Sequence, residues 1–330
     1  MLAVMKAAST EWRETIGADE EARFATYGEQ LVELARRAGA PGRALHRNQR
    51  LGFRATFEVL GDLPAHARHG MFATPRRYDA QIRLSNGSGM QTPDRRPDVR
   101  GFAIRVAGVD GPGALGGTTS AQCFLLINSA TFTFPSAEAF IGVVVAASRG
   151  QLAVLRHLIK RHGLIGGFKH ARALGKGLGK PFAGFAREIF HSAAAIACGP
   201  YAVKLRLVPS GADGGPSPRK DDWSADVIAR LAQGELAWDL QLQFFVDAAT
   251  TPIEDPTVLW PEAESPFLTV ARVVAPKQDP NSADGKALAQ TIEAGTFDPW
   301  VALAEHRPLG EIMRARKAAY FASQQARRAV

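Results

Sequence analysis

Cysteine is scarce: Cys123 and Cys198 are the only two in 330 residues. Two cannot make a disulfide framework, and their apolar neighbours predict buried thiols in a reducing compartment. Long apolar runs are missing as well. The longest, Ala139 to Ser148, stops at Arg149 and Gly150, too short to cross a bilayer. Residues 1–24 lack a basic segment followed by an apolar one, so no secretory leader is read there, and a cytoplasmic location is expected. Glycine and proline are frequent but not periodic, which excludes collagen, and no internal repeat is visible. Familiar catalytic signatures are also lacking. There is no HExxH and no GxSxG. Gly175 to Lys180 (GKGLGK) has neither a preceding strand nor the Ser or Thr a phosphate loop needs after its lysine. His157 with His162, and His66 with His69, have no cysteine beside them, so solvated histidines are expected rather than a metal site.

What is present is an ordinary globular composition with a basic bias. Hydrophobic residues make up 46% and charged residues 22%, which excludes a mostly disordered chain. The formal charge of +8 favours an anionic partner: nucleic acid, a membrane surface, or an anionic cofactor or substrate. The C-terminal basic cluster has no interleaved aromatic series beyond Tyr320 and Phe321, so a nucleic-acid partner is not expected.

Patterning gives the elements. Asp19, Glu20 and Glu21 suit a helix start and Gly39 a stop, with Phe24, Tyr27, Leu31, Leu34 and Ala35 at helical spacing between them. Strand-like runs follow at 53–60, 80–85, 101–106 and 123–127, separated by Gly- and Asn-rich breakers. Residues 137–195 read as helical with a loose glycine- and lysine-rich stretch. Strands resume at 201–208, 238–246 and 267–275, and 209–224 reads as a loop. One long helix follows Gly310. About seven strands in two groups, with helices between and after them, predict an α+β fold: an antiparallel sheet or barrel with helices packed outside.

The last helix carries a constellation. Arg316, Tyr320 and Arg327 stand at offsets 0, 4 and 11, within about 40° of one another at roughly 100° per residue. The bland reading is a solvated basic helix with one amphipathic tyrosine. The chemical reading is a phenolate, favoured by a guanidinium one turn away, that ligates a metal. Haem iron is one metal held this way.

Other segments point the same way, in order. Arg43 to Val59 (RALHRNQRLGFRATFEV), Ile82 to Ser85 (IRLS), Asp98 to Val106 (DVRGFAIRV), Phe124 to Asn128 (FLLIN), Trp260 to Val274 (WPEAESPFLTVARVV) and the segment from Phe297 to Arg327 together resemble the catalase family. The resemblance spans roughly residues 40–330 and implies a catalase-like antiparallel β-barrel core with surrounding helices. It implies an N-terminal helical arm over 1–40 and a single haem-binding core over 41–330.

On that resemblance the cofactor is haem b (iron protoporphyrin IX), with Tyr320 as the iron ligand and Arg316 holding its phenolate. His46 is the distal histidine, Ser85 orients it, and Asn128 is the distal asparagine. Arg43, Arg83 and Arg327 are partners for the propionates, an always-charged, bidentate type of donor. Phe132, Phe134 and Phe140 are candidates to pack on the haem, Phe140 foremost. Asp98 faces the access channel. The implied activity is a haem peroxidase with some catalase character, reducing hydrogen peroxide or organic hydroperoxides through a ferryl intermediate with a small organic reductant. The alternatives are a fatty-acid hydroperoxide isomerase or lyase and a non-catalytic haem-binding protein; a basic nucleic-acid-binding protein is a third. No nicotinamide and no membrane span are expected, and a homo-oligomer is compatible. The chain departs from the family pattern at Leu45, at Gly87, where a channel-narrowing valine is usual, and at Gln324, where a histidine is frequent. An open channel at Gly87 would admit larger peroxides.

Overall fold

The computed structural model describes residues 5–37, 43–89, 93–211 and 222–328, with side chains through residue 326. Helix α1 (Glu20–Arg37) precedes four strands, β1 (Gln49–Val59), β2 (Arg77–Asn86), β3 (Arg100–Pro112) and β4 (Thr118–Ile127). Helices α2 (Ala137–Ala147) and α3 (Gln151–Leu178) follow, then β5 (Phe190–His191), β6 (Ile196–Cys198) and β7 (Tyr201–Ser210). The chain continues through α4 (Trp223–Gln233), β8 (Leu236–Phe244), β9 (Phe267–Ala275), α5 (Ala283–Ala294) and α6 (Glu311–Arg328).

Every strand pairing is antiparallel, in the order β5-β4-β3-β2-β1-β9-β8-β7-β6. β5 also pairs with β7, so eight strands close into a barrel and β6 extends it. Alternation along the strands fills the interior. Phe53, Ala55 and Phe57 of β1, Ile82 and Leu84 of β2, Phe102 and Ile104 of β3, Phe124 and Leu126 of β4, and Trp238, Leu240 and Leu242 of β8 all belong to one buried cluster. A strand's side chains alternate in direction, so the residues between these point out of the barrel. An eight-stranded barrel is just wide enough for side chains to fill it. Truncating a ring such as Phe57, fully buried, would cost about 3–5 kcal/mol.

A helical layer lies on one side. Phe24, Tyr27 and Leu31 of α1, Ala137 and Ile141 of α2, and Ile312 and Ala315 of α6 form a second buried cluster. The layer is fastened by charge. The Arg314 guanidinium on α6 donates to Glu14, Glu20 and Glu254, each within 3.0 Å, which ties the N-terminal segment, α1 and a long loop to one side chain. Burial pushes the Glu14 carboxyl up, but the Gly310 N–H and Arg307 and Arg314 together hold it below its ordinary value.

Each strand run read from the sequence lies on a strand, with 53–60 overrunning β1 by one residue and 238–246 overrunning β8 by two. Two differences stand out. Helix ends at Leu178 rather than running on to 195, because Gly179, Pro181 and Gly184 (φ 107°) break it. β5 and β6, two and three residues long, are too short to show a period. Both cysteines are free and buried, and among the described residues no group of His, Cys, Asp and Glu is arranged to hold a metal ion. No helix among them is long and apolar enough to cross a membrane.

Candidate functional site

The outward faces of β2, β3 and β4 make a floor. Register sets Ser85 beside Gly101 and Arg83 beside Ala103, and sets Gly101 beside Ile127 and Ala103 beside Leu125. These six positions are the out-pointing alternates to the core residues, and all six line one large cavity. The roof is the helical layer. α1 supplies Tyr27 and Leu31, α2 supplies Phe140 and Ile141, and α6 presents Ile312, Ala315, Arg316, Ala319, Tyr320, Ser323 and Gln324. That α6 series recurs every three or four residues, which is one helical face. The cavity between floor and roof has a volume of about 230 Å³.

On the barrel side His46 lies just before β1. Its φ of 49° is uncommon for a residue with a side chain, and its N–H is held by the Gly87 carbonyl at 3.0 Å. The imidazole Nδ1 lies 3.0 Å from Ser85 Oγ, which fixes the ring and leaves Nε2 as the free end. Gly101 makes this pair sterically feasible: a Cβ there would stand 2.6 Å from His46 Nδ1 and 2.7 Å from Ser85 Oγ. Burial, then the Arg83 and Arg316 cations, push the His46 pKa down to about 3. The ring is therefore neutral across the ordinary pH range and able to accept a proton.

On the helical side Arg316 Nη2 donates to the Tyr320 oxygen at 3.0 Å, one turn along α6. The guanidinium also lies 5.3 Å from the Tyr320 ring centroid, and Nη1 reaches Met313 Sδ at 3.3 Å. The phenol oxygen accepts from a guanidinium and keeps a remaining lone pair for a further partner. Gln324, one turn further, donates to Asp298 at 2.7 Å and ties α6 to the preceding loop.

Two arginines meet at the cavity edge on a single carboxylate. Arg43 Nη1 lies 2.7 Å from Glu293 Oε1, and Arg83 Nη2 lies 2.8 Å from Glu293 Oε2. Arg83 Nη2 also donates to the His46 carbonyl at 2.9 Å, and Arg43 Nη2 to the Gly295 carbonyl at 2.8 Å. Burial and the Arg43 cation lower the Arg83 pKa to about 10, with Glu293 acting the other way, so Arg83 stays charged at neutral pH.

Of the residues singled out from sequence, the fold gathers His46, Ser85, Arg43, Arg83, Phe140, Arg316 and Tyr320 around one cavity. Asn128 is not among its lining. Asn128 Oδ1 accepts from the Arg100 N–H at 2.7 Å, and its own N–H donates back to the Arg100 carbonyl at 3.1 Å, so it closes the end of the β3–β4 ladder. The Arg327 side chain lies outside the described residues. Asp98 accepts from the Ser88 and Val99 N–H groups, with burial raising its pKa, and it too is absent from the lining. A Cβ at Gly87 would meet the Val99 carbonyl at 3.0 Å and Asp98 Oδ1 at 3.1 Å. The reading from sequence missed Glu293 and Gly101. A glycine inside a strand does signal close approach of another group, whereas nothing local marks a lone glutamate 210 residues beyond Arg83.

No family model matches the chain, and no curated protein matches it by sequence. Solved structures do match. A fungal catalase superposes with a TM-score of 0.65 at 18% identity, covering 89% of this chain and 60% of that one. A bacterial catalase gives 0.62 at 16% identity, covering 98% and 63%. Catalase A from Saccharomyces cerevisiae gives 0.60 at 16% identity, covering 98% and 67%. The chain therefore has a catalase-like fold and spans about three fifths of the fungal and bacterial chains it matches.

Proposed function

We propose that this protein is a haem-dependent peroxidase with weak catalase activity. One observation carries the reading: a buried neutral imidazole on the barrel wall and an arginine-bound phenol on the helical layer line the same apolar cavity. The residues present fit haem b. The phenol oxygen is a hard anionic donor of the kind that holds ferric haem. The walls are largely aliphatic and aromatic, and the two guanidiniums at the cavity edge are the donor type that binds carboxylates. Tyr320 would ligate the iron, with Arg316 donating to the same oxygen. Arg43 and Arg83 would face the propionates and Phe140 would pack on the ring. When bound, the haem supplies the redox chemistry that breaks a peroxide O–O bond.

The chain's own part is proton handling and exclusion of water. His46 Nε2, neutral at rest, takes a proton from the incoming peroxide and, as the imidazolium so formed, gives it to the departing oxygen. Ser85 holds the ring so that Nε2, rather than Nδ1, faces the cavity. The helical layer closes over the floor and keeps bulk water out. A small organic reductant then restores the resting state.

The test is direct. The full chain supplied with hemin should acquire the absorption of a tyrosinate-ligated ferric haem and oxidise a phenolic reductant with peroxide. Tyr320→Phe should lose that absorption. His46→Ala should keep it while losing roughly 10²-fold or more of turnover. A preparation that stays colourless with hemin overturns the reading. A His46→Ala variant with unchanged turnover reduces the protein to a haem carrier.

The position of Asn128 favours a second reading, a fatty-acid hydroperoxide isomerase or lyase. Asn128 lies outside the cavity lining and gives a peroxide there no hydrogen bond, which disfavours rapid two-electron cleavage, while apolar walls suit an acyl chain. Epoxide products from a lipid hydroperoxide without added reductant would support it.

A further inference from the structure

We infer that the outer half of α3 is a docking surface for an anionic lipid bilayer. This stands apart from the haem reading. Between Arg149 and Lys180 the sequence carries eight Lys and Arg residues and not one Asp or Glu. All eight are exposed. Of these, Arg161 is paired with Glu138 at 2.8 Å.

The same stretch exposes apolar side chains that a surface helix in water has no reason to show. Ile165 is 86% exposed, Leu164 64% and Phe168 54%. The backbone explains how they are presented. Gly163, at φ 72° and ψ 173°, breaks α3 into two helical pieces. Gly167 then packs against the first piece so closely that a Cβ would stand 2.6 Å from Ile159 Cα, and His162 stacks on His170 with centroids 4.0 Å apart. The second piece is thus held at an angle with its far side outward. At about 100° per residue, Leu164, Phe168 and Leu178 fall within roughly 80° of arc, and Arg172, Lys176 and Lys169 form a row along one edge of it. The opposite arc is largely glycine and alanine.

An apolar stripe bordered by a cationic row is the pattern of a helix lying in a membrane interface. Its apolar side chains sink into the boundary of headgroups and acyl chains, and its lysine stems reach up to the phosphates. The absence of any acid disfavours a second copy of the chain as occupant, since two such faces repel. Duplex DNA would match the charge but leave Leu164, Ile165 and Phe168 against a polar phosphate backbone that gives them no apolar burial. A bilayer with anionic headgroups satisfies both features at once. Because each cation near such a surface strengthens binding roughly fivefold, the exposed row dominates the selectivity.

The experiment is sedimentation of the full chain with vesicles of phosphatidylcholine, alone or mixed with phosphatidylglycerol. The chain should partition onto the anionic vesicles roughly tenfold or more above the neutral ones, and less at high salt. Ile165→Ser with Phe168→Ser should abolish partition, and Lys169→Gln with Lys176→Gln should weaken it about 25-fold. All four side chains are exposed, so unchanged circular dichroism should accompany both losses. A fluorophore on Ile165→Cys should shift to the blue with anionic vesicles. The inference is overturned by equal binding to both vesicle types, by no binding, or by an apolar double variant that binds as before. It is equally overturned if duplex DNA binds the chain more tightly than the anionic vesicles, or if light scattering shows self-association that the same substitutions abolish.

Discussion

The Arg83 guanidinium, almost wholly buried, is held 2.8 Å from the Glu293 carboxylate, which Arg43 shares. Glu293 therefore bridges two cations at the cavity edge and offsets one of their two charges. Glu293→Gln would leave both without a counter-charge, and with Glu293 38% exposed and Arg83 buried a cost of about 1–2 kcal/mol is expected. A bound dianion should restore part of that loss. Urea unfolding with and without hemin should show the variant gaining more from hemin than the parent chain does.

Gly101→Ala tests the imidazole–serine pair. The added methyl would meet His46 Nδ1 and Ser85 Oγ inside normal contact distance, and overpacking of this kind costs about 1–3 kcal/mol. Haem absorption should survive with its affinity little changed, while peroxide turnover falls at least as far as in Ser85→Ala.

Arg314→Met should loosen the roof. Three carboxylates, Glu14, Glu20 and Glu254, lose their common partner. A destabilisation of about 3–5 kcal/mol is expected. Hydrogen exchange should rise in α1 and α6 before it rises in the barrel strands.

Acid should destabilise the fold well before carboxylates protonate. Burial lowers the pKa of His46 to about 3 and of His191 and His306 to about 4. In the unfolded chain these groups titrate near 6.5. Between those limits the unfolded state binds protons that the native state refuses, so stability is complete above about pH 6.5 and falls as pH drops toward about 4. Each group contributes at most about 1.4 kcal/mol per pH unit in that window. Denaturant midpoints measured across it should decline, and His306→Gln should flatten the decline.

Much of the barrel was legible because long strands alternate. In β8, WDLQLQ states outright which side chains face the core. The cavity's chemical residues were legible only as ordered fragments of a family resemblance. Composition alone would have left Tyr320 on a solvated helix and His46 in the core. The Arg43–Glu293–Arg83 bridge was hidden because a pairing across more than 200 residues leaves no local trace. The Asn128 side chain was equally hidden, since its direction depends on how the ladder ends at Arg100. β5 escaped because two residues carry no period.

That two-residue strand has a mechanical consequence. It joins β4 to β7 through three residue pairings, His191 with Ile127 on one side and Phe190 and His191 with β7 on the other. The chain then passes at once through Ser192, Ala193 and Ala194, which border the cavity, with Ala193 at φ 58°. The thinnest seam in an otherwise continuous cylinder thus adjoins the chamber. Thermal breathing should part the wall there first, giving a bulky planar guest a way in that leaves the helical lid seated.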